Sequence, residues 1–236
     1  MEFAVVTTLN EIESIGPLVL ALREQGLVTV VVDDGSSDGT PEAAREAGAI
    51  VLEQVARMGI GPCLVRGWQY ALGHGADRLV QLDAGGSHDP GQALRLLSRV
   101  DLGADVVIGT RFCPGAEYVG GPWWRPVASA AAAMACRWVQ SGAWYSDWTS
   151  GYRAFSRTAL EDLVGRRYFA KMHGWQIEVL ALAGELGLRV AEVPISYQAG
   201  RSSFNAQVAN EAINVWLQIL HHRGPVVAPS EQMIGD

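Results

Sequence analysis

Short apolar runs alternate along the chain with longer stretches in which apolar residues recur every three or four positions. Phe3-Ala4-Val5-Val6-Thr7-Thr8, Leu27–Val32, 49–53, Asp77–Leu82 and Ala104–Gly109 are runs of the strand kind. Between the first two, Asn10-Glu11 opens a helix to about Gln25, with Ile12, Ile15, Leu18, Val19 and Leu22 at helical spacing. Helices are also predicted over 41–47, 61–73 and Pro90–Ser98. Thr40-Pro41 with Glu42 marks one start, because a helix tolerates proline in its first turn. Strand followed by helix, repeated four times in the first hundred residues, predicts an α/β fold with a mostly parallel, doubly wound sheet. Helices then cover both faces, which is why these strands are apolar throughout rather than alternating.

The rhythm breaks after Gly109. Thr110–Pro122 reads as a loop, Trp123–Ser141 as a helix and Trp144–Gly151 as a polar, aromatic connection. Tyr152–Ser156 is a short strand and Arg157–Val164 a short helix. His173–Leu186 reads as an amphipathic helix with Ile177, Leu180 and Ala181 on one face. Leu188–Val193 and Ile195–Tyr197 are strands split by Pro194, and Phe204–His222 is a final helix. With no internal repeat and no linker, the chain is expected to form one domain over 1–222, in halves 1–110 and 111–222, plus a flexible tail 223–236.

Composition narrows the function. The net charge of −7 argues against a nucleic-acid binder, which needs a basic face, and gives no broad attraction to anionic lipid. Three widely spaced cysteines without metal-site spacing fit a reduced, cytoplasmic protein. No basic segment precedes the first strand, and no apolar run reaches the roughly 20 residues of a membrane span. The protein is expected to be soluble or peripheral.

The stretch Val80-Gln81-Leu82-Asp83-Ala84-Gly85-Gly86-Ser87-His88-Asp89-Pro90 carries the strongest chemical signal. It places carboxylates on a loop at the carboxyl end of a strand, where open α/β sheets bind ligands. Asp83 and Asp89 suit Mg²⁺ or Mn²⁺, which take oxygen ligands and bridge phosphates. Asp89 is equally placed to cap the turn at Pro90. His88 says little alone, since loop histidines are common at surfaces. Asp33-Asp34, ahead of Gly35, ends another strand; the pair either binds a base or ribose or closes its own turn. Arg57-Met58-Gly59-Ile60-Gly61 opens a helix and either faces a phosphate or simply starts that helix. Asp147-Trp148-Thr149-Ser150-Gly151-Tyr152-Arg153 suggests an acceptor-side wall, against the alternative of a structured connection. Six of the eight tryptophans lie between 123 and 175, fitting either sugar stacking or core packing.

Taken together the motifs resemble glycosyltransferase family 2, with its GT-A (Rossmann-like) fold, in the branch of dolichol-phosphate mannose synthases and bacterial polyprenyl-phosphate glycosyltransferases. Thr7-Thr8-Leu9-Asn10-Glu11 is similar to the family's Pro-Thr-Tyr-Asn-Glu. Val32-Asp33-Asp34-Gly35-Ser36-Ser37-Asp38-Gly39-Thr40 resembles its nucleotide motif. Gln81 to Pro90 resembles Asp-Ala-Asp-Leu-Ser-His-Asp-Pro, Gly109-Thr110-Arg111-Phe112 resembles Gly-Ser-Arg-Tyr, and Asp147 to Arg153 resembles Asp-Pro-Thr-Ser-Gly-Phe-Arg. Gln176-Ile177-Glu178, Ala191 to Ile195 and Gly200 to Phe204 complete the order.

The resemblance implies an inverting transfer of a sugar from a GDP- or UDP-sugar, most directly to polyprenyl phosphate. The first half would then hold the nucleotide sugar and the second the acceptor, with a strand and helix elaboration at the carboxyl end. Thr8, Asn10, Glu11, Asp33, Asp34, Gly35, Arg57, Asp83, Gln176, Glu178 and Ser202 are the implied donor residues. Asp83, Asp147 and Arg111 are the expected catalytic group, with Asp147 as the candidate base for a hydroxyl acceptor and Asp89 second. Arg125, Trp148 and Arg153 stand on the acceptor side, and Asp83 with Asp89 holds the Mg²⁺ or Mn²⁺. A lipid acceptor implies work at the inner face of a membrane. Three departures stand out. Gly85 replaces the second aspartate of Asp-x-Asp, Ala130 and Ala133 replace an arginine and an asparagine, and no lysine follows Ser203. They keep open a soluble transferase acting on a hydroxyl of a protein, glycan or small molecule, and more remotely an inactive nucleotide-sugar binder.

Overall fold

The computed structural model describes residues 1–120, 145–199 and Asn214. The strands are β1 (Glu2–Thr8), β2 (Val28–Asp33), β3 (Ile50–Glu53), β4 (Arg78–Asp83), β5 (Val106–Thr110), β6 (Glu117–Val119), β7 (Arg153–Ser156), β8 (Val190–Pro194) and β9 (Ser196–Gln198). The helices are α1 (Ile12–Glu24), α2 (Thr40–Glu46), α3 (Ile60–Gly73), α4 (Ala93–Asp101), α5 (Arg157–Val164) and α6 (Gly174–Glu185). A 3-10 turn, Pro90–Gln92, precedes α4, where the pattern predicts one continuous helix.

Seven strands form one mixed sheet in the order β3-β2-β1-β4-β7-β5-β8. The four strands on the β3 side are mutually parallel, as their apolar runs predict. The register puts Thr7 beside Asp83 and Thr8 beside Asp33, so three adjacent strands end in a row of polar side chains. Strand β7 is inserted antiparallel between β4 and β5. It pairs Arg153 with both Gln81 and Ile108, which takes the connection before it beneath the strand ends. Outside this sheet β6 pairs with β9 in parallel, although the sequence reads 110–122 as a loop.

Two apolar layers follow from burial on both faces. One side packs α3, α5 and α6 on Phe3, Val5, Val106, Ile108 and Phe155; the other packs α1, α2 and α4 on Ala4, Val6, Val31, Val80 and Val107. Helix α6 departs from its predicted amphipathic character. Trp175, Gln176, Ile177, Val179, Leu180, Ala181 and Ala183 are all buried, so the helix is enclosed on most sides. Helix α3 lies close on the sheet because Gly67 has no side chain. A Cβ there would overlap Val5 and stand 3.2 Å from Val32. Gly67→Ala is expected to lower the free energy of unfolding by about 1–3 kcal/mol through overpacking, read as a shifted urea midpoint at unchanged slope.

Candidate active site

The site is built on the carboxyl ends of β1, β2, β4 and β5. Asp33 spends its carboxylate on its own turn: Oδ2 accepts from Gly35 N at 3.0 Å and Ser36 N at 2.8 Å, and Oδ1 accepts from Ser36 Oγ. Asp34 reaches sideways, accepting from Met58 N at 2.6 Å and Gly59 N at 3.0 Å. It thereby fixes the turn that carries the exposed Arg57, whose Cγ is 3.8 Å from where a Gly35 side chain would begin. Asn10 sits at φ 56° and ties the first loop to the second. Its Oδ1 accepts from Ser37 N at 2.9 Å and its own N donates to Ser36 Oγ at 2.8 Å. Asp33 thus closes its own turn, while Asp34 braces the neighbouring loop. Thr8 lies buried among these loops with its hydroxyl unpartnered.

Asp83 at the end of β4 differs. Its side chain is 43% exposed, and His88 Nδ1 stands 3.9 Å from Oδ2. His88 is not the surface residue its loop position suggests. It is 4% exposed and packs between Tyr152 and Tyr197. Burial lowers its pKa despite the Asp83 charge. Gly151 fits against Asp83 because it has no Cβ. One there would stand 3.2 Å from Asp83 Oδ2 and 3.5 Å from Gln176 Nε2. Gly151, a residue the sequence reading singled out only as part of its motif, therefore brings Asp83 and Gln176 to one place.

Asp147 and Arg111 form the other wall. Arg111 Nε donates to Asp147 Oδ2 and Nη2 to Oδ1, both at 2.7 Å, and Nη2 also reaches Thr149 Oγ1 at 2.7 Å. The Asp147 side chain has no exposed surface and that of Arg111 is 13% exposed. Burial alone would raise the Asp147 carboxyl; the Arg111 charge and hydrogen bonds outweigh it and hold the group below the usual carboxylate range. Rings of Phe112 and Tyr197 each lie 5.0 Å from the Arg111 guanidinium carbon. Ser146 and Glu192, missed in the sequence, anchor the same loop: Ser146 N donates to Glu192 at 2.7 Å.

Several side chains expected at the site are engaged within the protein. Asp147 has both oxygens held in the arginine fork, which disfavours the expected role as base. Asp89 accepts from Gly91 N at 2.9 Å and caps the 3-10 turn, so it does not join Asp83 as a preformed metal pair. Among the described residues no three His, Cys, Asp or Glu side chains stand together as a metal cage. Glu178 accepts from Phe169 N at 2.9 Å and Ala170 N at 3.1 Å and so holds a loop. Trp148 is 2% exposed and Arg153 fully buried, so neither forms an open acceptor wall. Arg153 donates to Trp148 O at 3.0 Å, and burial pushes its pKa down to about 9. Arg125, Ser202, the tryptophans 123, 124, 138 and 144, the helices predicted over Trp123–Ser141 and Phe204–His222, and the tail 223–236 lie outside the described residues.

Residues 3–164 match the family model described as "Glycosyl transferase family 2". The chain belongs to that family. This glycosyltransferase is 34% identical over 220 residues to an undecaprenyl-phosphate mannosyltransferase of Micrococcus luteus, covering 89% of both chains. It is also 34% identical over 221 residues to a polyprenol monophosphomannose synthase of Mycolicibacterium smegmatis, covering 89% of this chain and 83% of that one. Its fold is similar to that of glucosyl-3-phosphoglycerate synthase from Mycobacterium tuberculosis, crystallised with Mn²⁺, UDP-glucose and phosphoglyceric acid. That match has a TM-score of 0.72 and 22% identity, covering 94% of this chain and 80% of the other. The expected GT-A architecture is the one observed.

Removing one partner of a buried pair leaves an uncompensated charge. Asp147→Asn in this glycosyltransferase should cost about 3–5 kcal/mol in chemical denaturation at pH 7. The same pair gives a pH dependence. Because the folded-state pKa of Asp147 is depressed, its stabilisation is fully present above the ordinary value of 3.8 and is lost as pH falls through the lower folded value. The acid limb of the stability profile should therefore be shallower in Asp147→Asn than in the parent.

Proposed function

We propose that this glycosyltransferase moves one hexose, mannose in the first instance, from a nucleoside diphosphate sugar to a polyprenyl phosphate, with inversion at the anomeric carbon. The observation that carries the acceptor class is the closure of Asp147. A hydroxyl acceptor needs a base within hydrogen-bond reach. Asp147 has both oxygens engaged by Arg111, and Asp89 is engaged by its own turn. A phosphate acceptor is already an anion and needs no base. The names of the two bacterial relatives support the same acceptor and sugar.

On the donor side, the nucleoside would lie over the ends of β1 and β2, against Thr8 and the loops fixed by Asp33 and Asp34. Arg57 is exposed beside Gly35, where its charge can meet a phosphate. Asp83 offers an exposed, uncapped oxygen donor that fits a hard divalent cation, Mg²⁺ or Mn²⁺. Such a cation, when bound, offsets the charge that grows on the leaving diphosphate. Arg111, held flat by Asp147 and two aromatic rings, presents a fixed positive charge at the opposite wall. Among the described residues no helix is long and apolar enough to cross a membrane.

The test is transfer by the purified protein from GDP-mannose, and in parallel from UDP-hexoses, to detergent-dispersed polyprenyl phosphate. The expected product is an organic-soluble phosphoglycolipid whose anomeric configuration is opposite to the donor's. Transfer only to soluble hydroxyl acceptors, or donor hydrolysis without lipid product, would remove this reading.

A further inference from the structure

Gly85 leaves a gap in the charge balance of the site. We propose that Glu11 supplies the carboxylate that Gly85 lacks, so that Asp83 and Glu11 together grip the divalent cation of the donor diphosphate. This deepens the donor side of the proposed function and rests on it.

The backbone at Gly85 is ordinary. Gly86 next to it has φ 71°, whereas φ at Gly85 is not positive, so a side chain at 85 meets no backbone obstacle. What it would meet is Glu11. A Cβ on residue 85 would lie 3.3 Å from Glu11 Oε1 and 3.9 Å from Glu11 Cδ, with no other close neighbour among the described residues. The Glu11 carboxylate therefore stands beside the space that a side chain at 85 would enter. The residue is also free for this work. Glu11 is the N-cap residue of α1, yet its side chain makes no cap hydrogen bond. Among the described residues its carboxylate accepts one weak bond, from Ser14 Oγ at 3.3 Å. Its backbone is anchored, with N donating to Thr40 Oγ1 at 2.9 Å and O accepting from Ile15 N at 3.0 Å.

His88 is an independent pointer to a ligand. Its side chain is 2% exposed, and Nδ1 is buried without a hydrogen-bond partner while facing Asp83 Oδ2 from 3.9 Å. A buried nitrogen left unpaired is costly. A carboxylate that binds a cation is in turn oriented by hydrogen bonds from the next layer of residues, and a small movement of Asp83 brings Nδ1 into that role. Two carboxylates with the remaining positions filled by water and phosphate oxygens is a normal arrangement for Mg²⁺. That is consistent with the absence of a three-residue cage among the described residues.

The experiment is Mn²⁺ binding, followed by the loss of the free-ion EPR signal, in the presence of GDP or UDP, with thermal midpoints measured alongside. Glu11→Gln should weaken Mn²⁺ binding about tenfold or more, and adding Gly85→Asp to it should restore most of that loss. Equal Mn²⁺ affinity in the parent and Glu11→Gln overturns the assignment while leaving the donor reading intact. A loss in Glu11→Gln that Gly85→Asp does not repair, in a double variant with the parent's thermal midpoint, also overturns it. If no nucleoside diphosphate raises the parent's midpoint, with or without Mn²⁺, the donor reading fails and the assignment fails with it.

Discussion

Asp147 is a carboxylate without access to water, and the half of the site beyond β4 is arranged to give it a counter-charge. An ionised carboxyl in such a place is tolerable only with a close, well-aligned partner. Arg111 provides it through two bonds of 2.7 Å, one to each oxygen. Those bonds join the end of β5 to the connection that leads into β7. The register of β7 between β4 and β5 then follows, with Ser150 Oγ donating to Gly109 O at 2.6 Å. Gly151 is thereby set against Asp83, and Arg111 is left with one face toward Phe112 and Tyr197.

The first hundred residues were legible because their strands are buried on both faces and their helices amphipathic, which are local signals. The insertion of β7 was not. A short strand such as Arg153–Ser156 does not announce its neighbours, and only the sheet order reveals that its residues enter the middle of the core. That is why Trp148 and Arg153 read as an acceptor wall but are enclosed. The internal bonds of the carboxylates were hidden for a related reason. Asp33, Asp34, Asp89 and Glu178 all end on backbone N–H groups, which have to be satisfied when loops are packed down. A one-dimensional pattern gives the presence of an acid at a strand end but not the number of amides already pointing at it. The family resemblance supplied the motif order that composition alone does not contain, while Gly85 marked the place where that order is incomplete.

Asp83 and Glu11 differ from those spent carboxylates. Every other acidic side chain of the strand-end loops considered above is balanced within the protein, by amides or by an arginine. Among the described residues Asp83 faces an unpaired imidazole 3.9 Å away, and the Glu11 carboxylate a serine hydroxyl at 3.3 Å. Negative charge left unneutralised at the mouth of a site meant for a diphosphate repels that ligand. A cation resolves the conflict, because it is attracted by both sides. Moving one carboxylate from the loop at 85 to the start of α1 preserves that solution with a firmer support. A loop aspartate depends on the turn that carries it, whereas Glu11 is fixed by the first turn of a helix and by Thr40 of the next. On this view Gly85 removes no charge from the site; it makes room for a carboxylate delivered from the neighbouring strand's loop.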